Sequence, residues 1–190
     1  MNAGASGLEL IVEFNEAAKA MESRACEVRV HALDALVRSA RDRSLTLAGF
    51  REVSSQMRSW ADDLTLLVER LRKACASAVS AECVAQTLVR RRRLVQMARC
   101  HEADARILQR EEATRARRRT ELLALRETLD ELRQLGLMAT ALSRTAMIEA
   151  TAASGDDRTV LMLAAREFGE RAAQVLDCGR ALQRSTREAA

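Results

Sequence analysis

The feature that most constrains the fold is a heptad pattern of small and apolar residues in a chain of 190 residues that contains no proline. Neither proline nor glycine interrupts the chain between Phe50 and Leu135. Apolar residues recur there every seven positions, as the row Val53, Trp60, Leu67, Ala74, Ala81, Leu88 and Val95. Such a repeat is typical of α-helices that pack along one seam. Strands are disfavoured, because the chain has no tyrosine, three phenylalanines and one tryptophan.

Four heptad series predict four helices, and two breaks between them predict hairpin tips. The first break covers 41–49, where polar residues precede Gly49, and the second covers 151–158, around Ser154-Gly155-Asp156-Asp157. We expect one helical domain over 1–190, a long antiparallel four-helix bundle or coiled coil of the all-α class. Its two helical hairpins would span about 7–98 and about 105–188.

The two hairpins share one register. A shift of 111 residues places Phe14 on Leu125, Phe50 on Leu161 and Met57 on Phe168. Because 111 is not a multiple of seven, a common heptad does not force this match. Helices of the expected length would place both tips at one end and a chain reversal near 99–104 at the other. A turn there would give a monomeric bundle, whereas a continuous helix would give a swapped homodimer.

The end opposite the tips is strongly basic. Residues 90–119 contain 11 arginines and four acids, a net charge of +7 in a chain whose total is +4. Arg92 falls on a seam position, so we expect the dry core to end or splay there. This charge could bind an anionic surface or nucleic acid, or be a solvated helix face. The candidate basic patch consists of Arg90, Arg91, Arg92, Arg93, Arg117, Arg118 and Arg119.

No residue pattern indicates catalysis. The chain has two histidines, no glycine-rich phosphate loop, and five cysteines too widely spaced for a metal or redox motif. We therefore expect a protein that is not an enzyme and has no catalytic residue, cofactor or metal. The longest uncharged stretch, Gln134 to Ser143, is too short to span a membrane. With no basic region before the first apolar run, a signal peptide is not indicated, and we expect a cytoplasmic location.

The residues around the first tip form a pattern, namely Ala32, Leu33, Ala35, Ala40 and Arg41 before the break and Phe50, Val53, Arg58 and Ala61 after it. This pattern resembles the signalling hairpin of methyl-accepting chemotaxis proteins, which reads approximately A-L-N-A-A-I-E-A-A-R before its turn and F-A-V-V-A-x-E-V-R-x-L-A after it. The second tip carries another fragment of the pattern, in Ile148-Glu149-Ala150, Gly155, Arg158 and Glu167-Phe168.

The resemblance implies a signalling bundle whose tips bind a chemotaxis histidine kinase and its coupling adaptor. The implied partner-binding residues are Asp34, Val37, Arg38, Arg41, Phe50 and Arg58 at the first tip and Thr145, Ile148, Glu149 and Arg158 at the second. Phe50, Met57 and Trp60 are more typical of core residues than of a binding patch, and of these three Phe50, beside the tip, is the candidate for exposure. Arg38 stands where the family has a glutamate, and Asp34 and Thr145 replace its tip asparagine.

A second class of function stays open at this point. A long helical bundle with a basic end is also typical of a structural coiled-coil scaffold, a secretion-associated chaperone, or a coat protein on a granule or membrane surface. In that class the segment 90–119 would make the functional contact. Binding that depends on the tips favours the signalling adaptor, and binding that depends on Arg90–Arg93 and on salt favours the coat protein.

Overall fold

The structure is a computed structural model that describes residues 5–41, 48–98, 101–153 and 155–188. Four helices account for nearly all of them, and the described ranges contain no strand. The helices, of 37, 50, 50 and 34 residues, are α1 (Ala5–Arg41), α2 (Ala48–Met97), α3 (His101–Ala150) and α4 (Gly155–Glu188). The predicted all-α four-helix bundle is confirmed.

The helices form an antiparallel ring in which each packs against two neighbours. Cross-helix pairs set the direction: Glu22 pairs with Arg72 and Arg29 with Asp62, so the numbers rise along α1 as they fall along α2. Other pairs show the same reversal for the remaining neighbours, namely Arg70–Glu131 and Glu82–Arg118 between α2 and α3, Asp130–Gln183 and Ser143–Ala165 between α3 and α4, and Glu27–Arg171 and His31–Glu167 between α1 and α4. The α2–α3 contact is the most extensive and the α1–α4 contact the least.

The heptad rows form the core. Buried side chains on α1 are Phe14, Met21, Val28 and Ala35, and those on α3 at the same register are Leu125, Leu132, Ala139 and Ala146. The same correspondence holds between α2 and α4, where the buried pairs are Phe50 and Leu161, Met57 and Phe168, Leu64 and Val175, and Leu71 and Leu182. The register repeat seen in the sequence is therefore also a repeat of burial.

Small residues allow the helices to approach closely. At Gly136 on α3, an added Cβ would lie 2.3 Å from the side chain of Leu176 on α4, which fills that space. At Gly49, an added Cβ would lie 2.0 Å from the carboxylate of Glu149, so the start of α2 lies against the end of α3. The beginning of α2 and the end of α3 thus meet at the tip end of the bundle.

Both tips are shorter than the sequence suggests. Gly49 belongs to α2, which begins at Ala48, and the predicted tip residues 42–47 lie outside the described residues. At the second tip, the amides of Thr151 and Ala153 donate to the carbonyls of Ile148 and Ala150 at 3.0 and 3.2 Å, and α4 begins already at Gly155. At the other end, α2 ends at Met97 and α3 begins at His101, and these two helices of one chain pack antiparallel.

The unequal helix lengths leave part of the α2–α3 pair without the outer helices. Glu22 is level with Arg72, so the start of α1 at Ala5 reaches only to about residue 89 of α2 at the common rise per residue. Asp130 is level with Gln183, so α4 ends near residue 125 of α3 by the same measure. We call residues 90–98 and 101–119 the basic hairpin. None of the four helices, over the residues described, has an apolar stretch that could cross a membrane.

Candidate functional site

The tip end presents two apolar side chains at equivalent positions. Val37 on α1 and Ile148 on α3 are separated by the 111-residue shift, and their side chains are 51% and 68% exposed. Each lies within the last turn or so of its helix. Four polar residues of the candidate set are also exposed, namely Asp34, Arg58, Thr145 and Arg158. The side chains of Arg38 and Arg41 lie outside the described part of the chain.

The structure does not place Phe50 on the surface beside the tip. Its ring is fully buried, and the side chains of Met57 and Trp60 further along α2 are buried as well. The reason is helical phase: because α2 begins at Ala48, Phe50 is already in the first core layer of this helix, at the register of buried Leu161. A partner could contact the Phe50 ring only if this layer opened.

The seam of the basic hairpin is polar. Arg92 points toward α3, where its Nε lies 3.2 Å from Asp104 Oδ1 and its Nη1 lies 3.3 Å from Glu111 Oε2. The Glu111 side chain is buried, and Arg115 approaches the same oxygen at 3.5 Å. A charge at a core position is stable only if opposite charges compensate it. The predicted end of the dry core at Arg92 is therefore an ion-pair network between two helices.

The remaining arginines of the candidate basic patch fall into two groups. Arg117 pairs with Glu121 on its own helix, and Arg118 pairs with Glu82 on α2 at 2.8 Å. By contrast, four exposed arginines make no ion pair with any described residue, namely Arg90, Arg91, Arg93 and Arg119. The unpaired charge of the patch therefore lies on the exposed surface of the hairpin, whereas Arg92 and Arg118 are neutralised by acids of the facing helix.

An apolar groove between α2 and α3 is a feature that the sequence analysis missed. Its lining includes Trp60, Leu135 and Leu142, with the exposed Met138 beside them. The Trp60 indole Nε1–H donates to the Leu135 carbonyl at 2.9 Å, and its ring meets Phe168 edge-on at 5.2 Å between centroids. The sequence signal that could have predicted this groove is the presence of apolar residues outside the heptad rows, such as Leu66 and Met138.

The equivalent groove between α1 and α4 is filled with charge. The 111-residue shift places Arg171 at the register of Trp60, and Glu27 at that of Met138. Arg171 and Arg24 both pair with Glu27, and His31 lies 3.4 Å from Glu167. Burial pushes the pKa of Glu27 upward, but hydrogen bonding and charge from Arg171, with a smaller contribution from Arg24, outweigh burial and lower this pKa below its usual value.

The described cysteines are all free thiols, and their reactivity differs with burial. Burial raises the pKa of Cys75 to about 11, and burial together with the neighbouring charge of Asp177 raises that of Cys178. Cys26 and Cys83 are exposed, and Cys100 lies outside the described residues. Over the described ranges, no three or more His, Cys, Asp or Glu side chains are placed to hold a metal ion.

The residues that carry the chemoreceptor resemblance lie on two pairs of neighbouring helices. Those of the first tip are on α1 before the turn and on α2 after it, those of the second tip are on α3 and α4, and the helices of each pair pack antiparallel. No protein-family model matches the chain, and no curated protein matches it.

Proposed function

We propose that the protein is a helical signalling adaptor that binds a protein partner at its tip end. The observation that supports this most directly is the pair Val37 and Ile148, two β-branched apolar side chains exposed at equivalent positions beside the two tips. Apolar side chains exposed at a helix end are available for a protein partner to bury. Here the polar neighbours in sequence include Asp34 and Thr145, which are also equivalent under the 111-residue shift.

The duplicated register suggests how one chain would present this surface. In the family that the tips resemble, two hairpins from two chains form the signalling bundle, and here two hairpins lie in tandem in one chain. The partner that the resemblance implies is a chemotaxis histidine kinase with its coupling adaptor. Each chain would then present two related but unequal tip surfaces, one that includes Val37 and one that includes Ile148.

Signal transmission would depend on the small residues in the core near the tips. The buried positions toward the ends of α1 and α3 are occupied by alanine and serine, namely Ala32, Ala35, Ala139, Ser143, Ala146 and Ala150. These two helices contribute little apolar area to the layers near the tips, where the large buried side chains, such as Phe50 and Leu161, belong to α2 and α4. A change in how α1 and α3 pack there would therefore cost little free energy. We expect faster amide exchange in the parts of α1 and α3 near the tips than around Leu64 and Leu132.

The direct test is binding of the purified full chain to a chemotaxis histidine kinase and its coupling adaptor. We expect saturable binding that Ile148→Ser weakens about tenfold, the effect of losing one well-packed apolar contact. Val37→Ser should weaken binding in the same direction. Phe50→Ala is unsuitable as a probe, because the Phe50 ring is in the core.

Leu123→Ser is the matched control. Leu123 is on the same helix as Ile148, is similarly exposed, and lies 25 residues from it along the chain. This variant should bind like the wild type. No saturable binding at tens of micromolar partner, or an equal loss in Leu123→Ser and Ile148→Ser, would rule out the tip as the docking surface.

A further inference from the structure

The basic hairpin, at the end of the bundle away from the tips, carries a surface that tip docking does not use. We propose that the outward face of the last turns of α2 docks on an anionic lipid surface. This face contains Arg90, Arg91, Arg93, Leu94 and Met97. The function at the tips does not depend on it, because the two surfaces are at opposite ends of helices about 75 Å long.

The charges on this face are free to meet an external anion. Arg92, which points inward, is neutralised by Asp104 and Glu111 on α3. Its neighbours Arg90, Arg91 and Arg93 are exposed, and within the described parts of the chain they have no acidic partner. Three guanidinium groups within four residues are therefore available to lipid phosphates.

Two long apolar side chains lie among these arginines. Leu94 is 62% exposed and Met97 is 73% exposed. Because they are three residues apart, they share one side of α2, and Arg90 and Arg93, each four residues before one of them, lie on that side too. A helix face with apolar side chains between basic ones is typical of helices that lie in the headgroup region of a bilayer.

The same face is less suited to nucleic acid. Phosphate contacts would use the arginines, but they would leave Leu94 and Met97 in water. Segment 90–119 has no phenylalanine, tyrosine or tryptophan on which a base could stack. A bilayer surface accepts both chemistries at once, since phosphates bind the arginines and the acyl boundary takes up the leucine and methionine.

The test is sedimentation of the full-length protein with vesicles of phosphatidylcholine containing about a third phosphatidylglycerol, compared with pure phosphatidylcholine. We expect binding to the anionic vesicles that weakens steeply with salt. The triple variant Arg90→Gln/Arg91→Gln/Arg93→Gln should reduce partitioning roughly 100-fold. Leu94→Ser/Met97→Ser should reduce it about tenfold or more, because both side chains lose their contact with the acyl boundary.

The matched control is Leu123→Ser/Leu137→Ser, which removes two exposed apolar side chains outside the basic hairpin. It should partition like the wild type. All variants alter exposed residues, so circular dichroism should show unchanged helicity. Three results would each overturn the proposal: equal binding to neutral and anionic vesicles, wild-type partitioning of Leu94→Ser/Met97→Ser, or tighter binding to duplex DNA than to anionic vesicles at the same salt.

Discussion

The two grooves related by the 111-residue shift occupy equivalent positions in the heptad register, but one is apolar and the other is charged. Between α2 and α3, Trp60, Leu135 and Leu142 line an open apolar groove. Between α1 and α4, the register of Trp60 is taken by Arg171, whose guanidinium pairs with Glu27. The helices with the apolar groove have the most extensive contact in the bundle, and those with the charged groove have the least.

This difference shows that a repeated heptad register determines which positions are buried but not what holds neighbouring helices together. Apolar burial contributes in proportion to the area removed from water. Partly exposed ion pairs contribute little each, because water and side-chain entropy offset their attraction. We therefore expect the α2–α3 pair to be the stable half of the bundle and the α1–α4 contact to be the first to open.

The largest effect should come from Trp60→Ala. Loss of this buried ring, with its hydrogen bond to Leu135 and its contact with Phe168, should lower the free energy of unfolding by about 3–5 kcal/mol. Arg171→Ala, at the same register in the charged groove, should cost less than about 1 kcal/mol. Urea unfolding followed by circular dichroism measures both. Equal costs would mean that the two grooves contribute alike.

Gly136→Ala tests how closely α3 and α4 pack. The new methyl group would collide with the side chain of Leu176, which should lower the free energy of unfolding by about 1–3 kcal/mol. This cost should exceed the gain of about 1 kcal/mol from the higher helix propensity of alanine. Ala25 has the same register on α1, and Ala25→Gly should lose about 1 kcal/mol of propensity. In a Leu176→Ala background, Gly136→Ala should become stabilising. A stabilising Gly136→Ala in the wild type would contradict this close packing.

Two serines that are buried in the described part of the chain should respond with opposite signs. Ser143 Oγ donates to the Ala165 carbonyl at 3.0 Å, whereas Ser54 Oγ is buried with no hydrogen-bond partner among the described residues. Ser54 has the register of Ala165 in the other half. Ser54→Ala should therefore raise the free energy of unfolding by about 1 kcal/mol, and Ser143→Ala should lower it by about 1 kcal/mol. Thermal unfolding gives both values, and a shift of the same sign in both variants would refute the assignment.

The smallest effect should be a pH dependence confined to the charged groove. The pKa of Glu27 is lowered in the folded state, so its contribution to stability is present above its unfolded pKa and is lost as the pH falls through the folded pKa. Amide exchange, corrected for intrinsic rates, should show α1 and α4 opening more readily in acid while α2 and α3 change less. Glu27→Gln should reduce this dependence of exchange on pH. If the variant opened in acid as the wild type does, a group other than Glu27 would be responsible.

Much of the fold could be predicted from the heptad rows. The seams through Met21, Leu64, Leu132 and Val175 are buried, because a seven-residue repeat keeps one face of each helix toward its neighbours. The helix boundaries were less predictable. Gly49 and Gly155 look like turn residues in sequence, yet they are the second residue of α2 and the first residue of α4, because glycine is accepted at the start of a helix.

The candidate sites were predicted less well, because exposure depends on more than residue type. Phe50 is buried because α2 begins two residues before it. The sequence correctly predicted that Arg92 lies on the seam. Its acidic partners Asp104 and Glu111 could not be predicted, because this pairing depends on where the chain reverses between α2 and α3. The position of the same reversal also leaves Arg90, Arg91 and Arg93 without an acidic partner among the described residues.

By itself the sequence determined that this chain forms long helices with narrow seams of small and apolar residues, because the hydrophobic period is a local property of the chain. Only the tertiary structure decided which helices are neighbours and where each one ends along the bundle. As a result, Trp60 lies against α3, Arg171 pairs with a residue of α1, and Leu94 and Met97 are exposed. The physical reason is that burial away from the seam depends on the level at which a neighbouring helix stops, which no local pattern encodes.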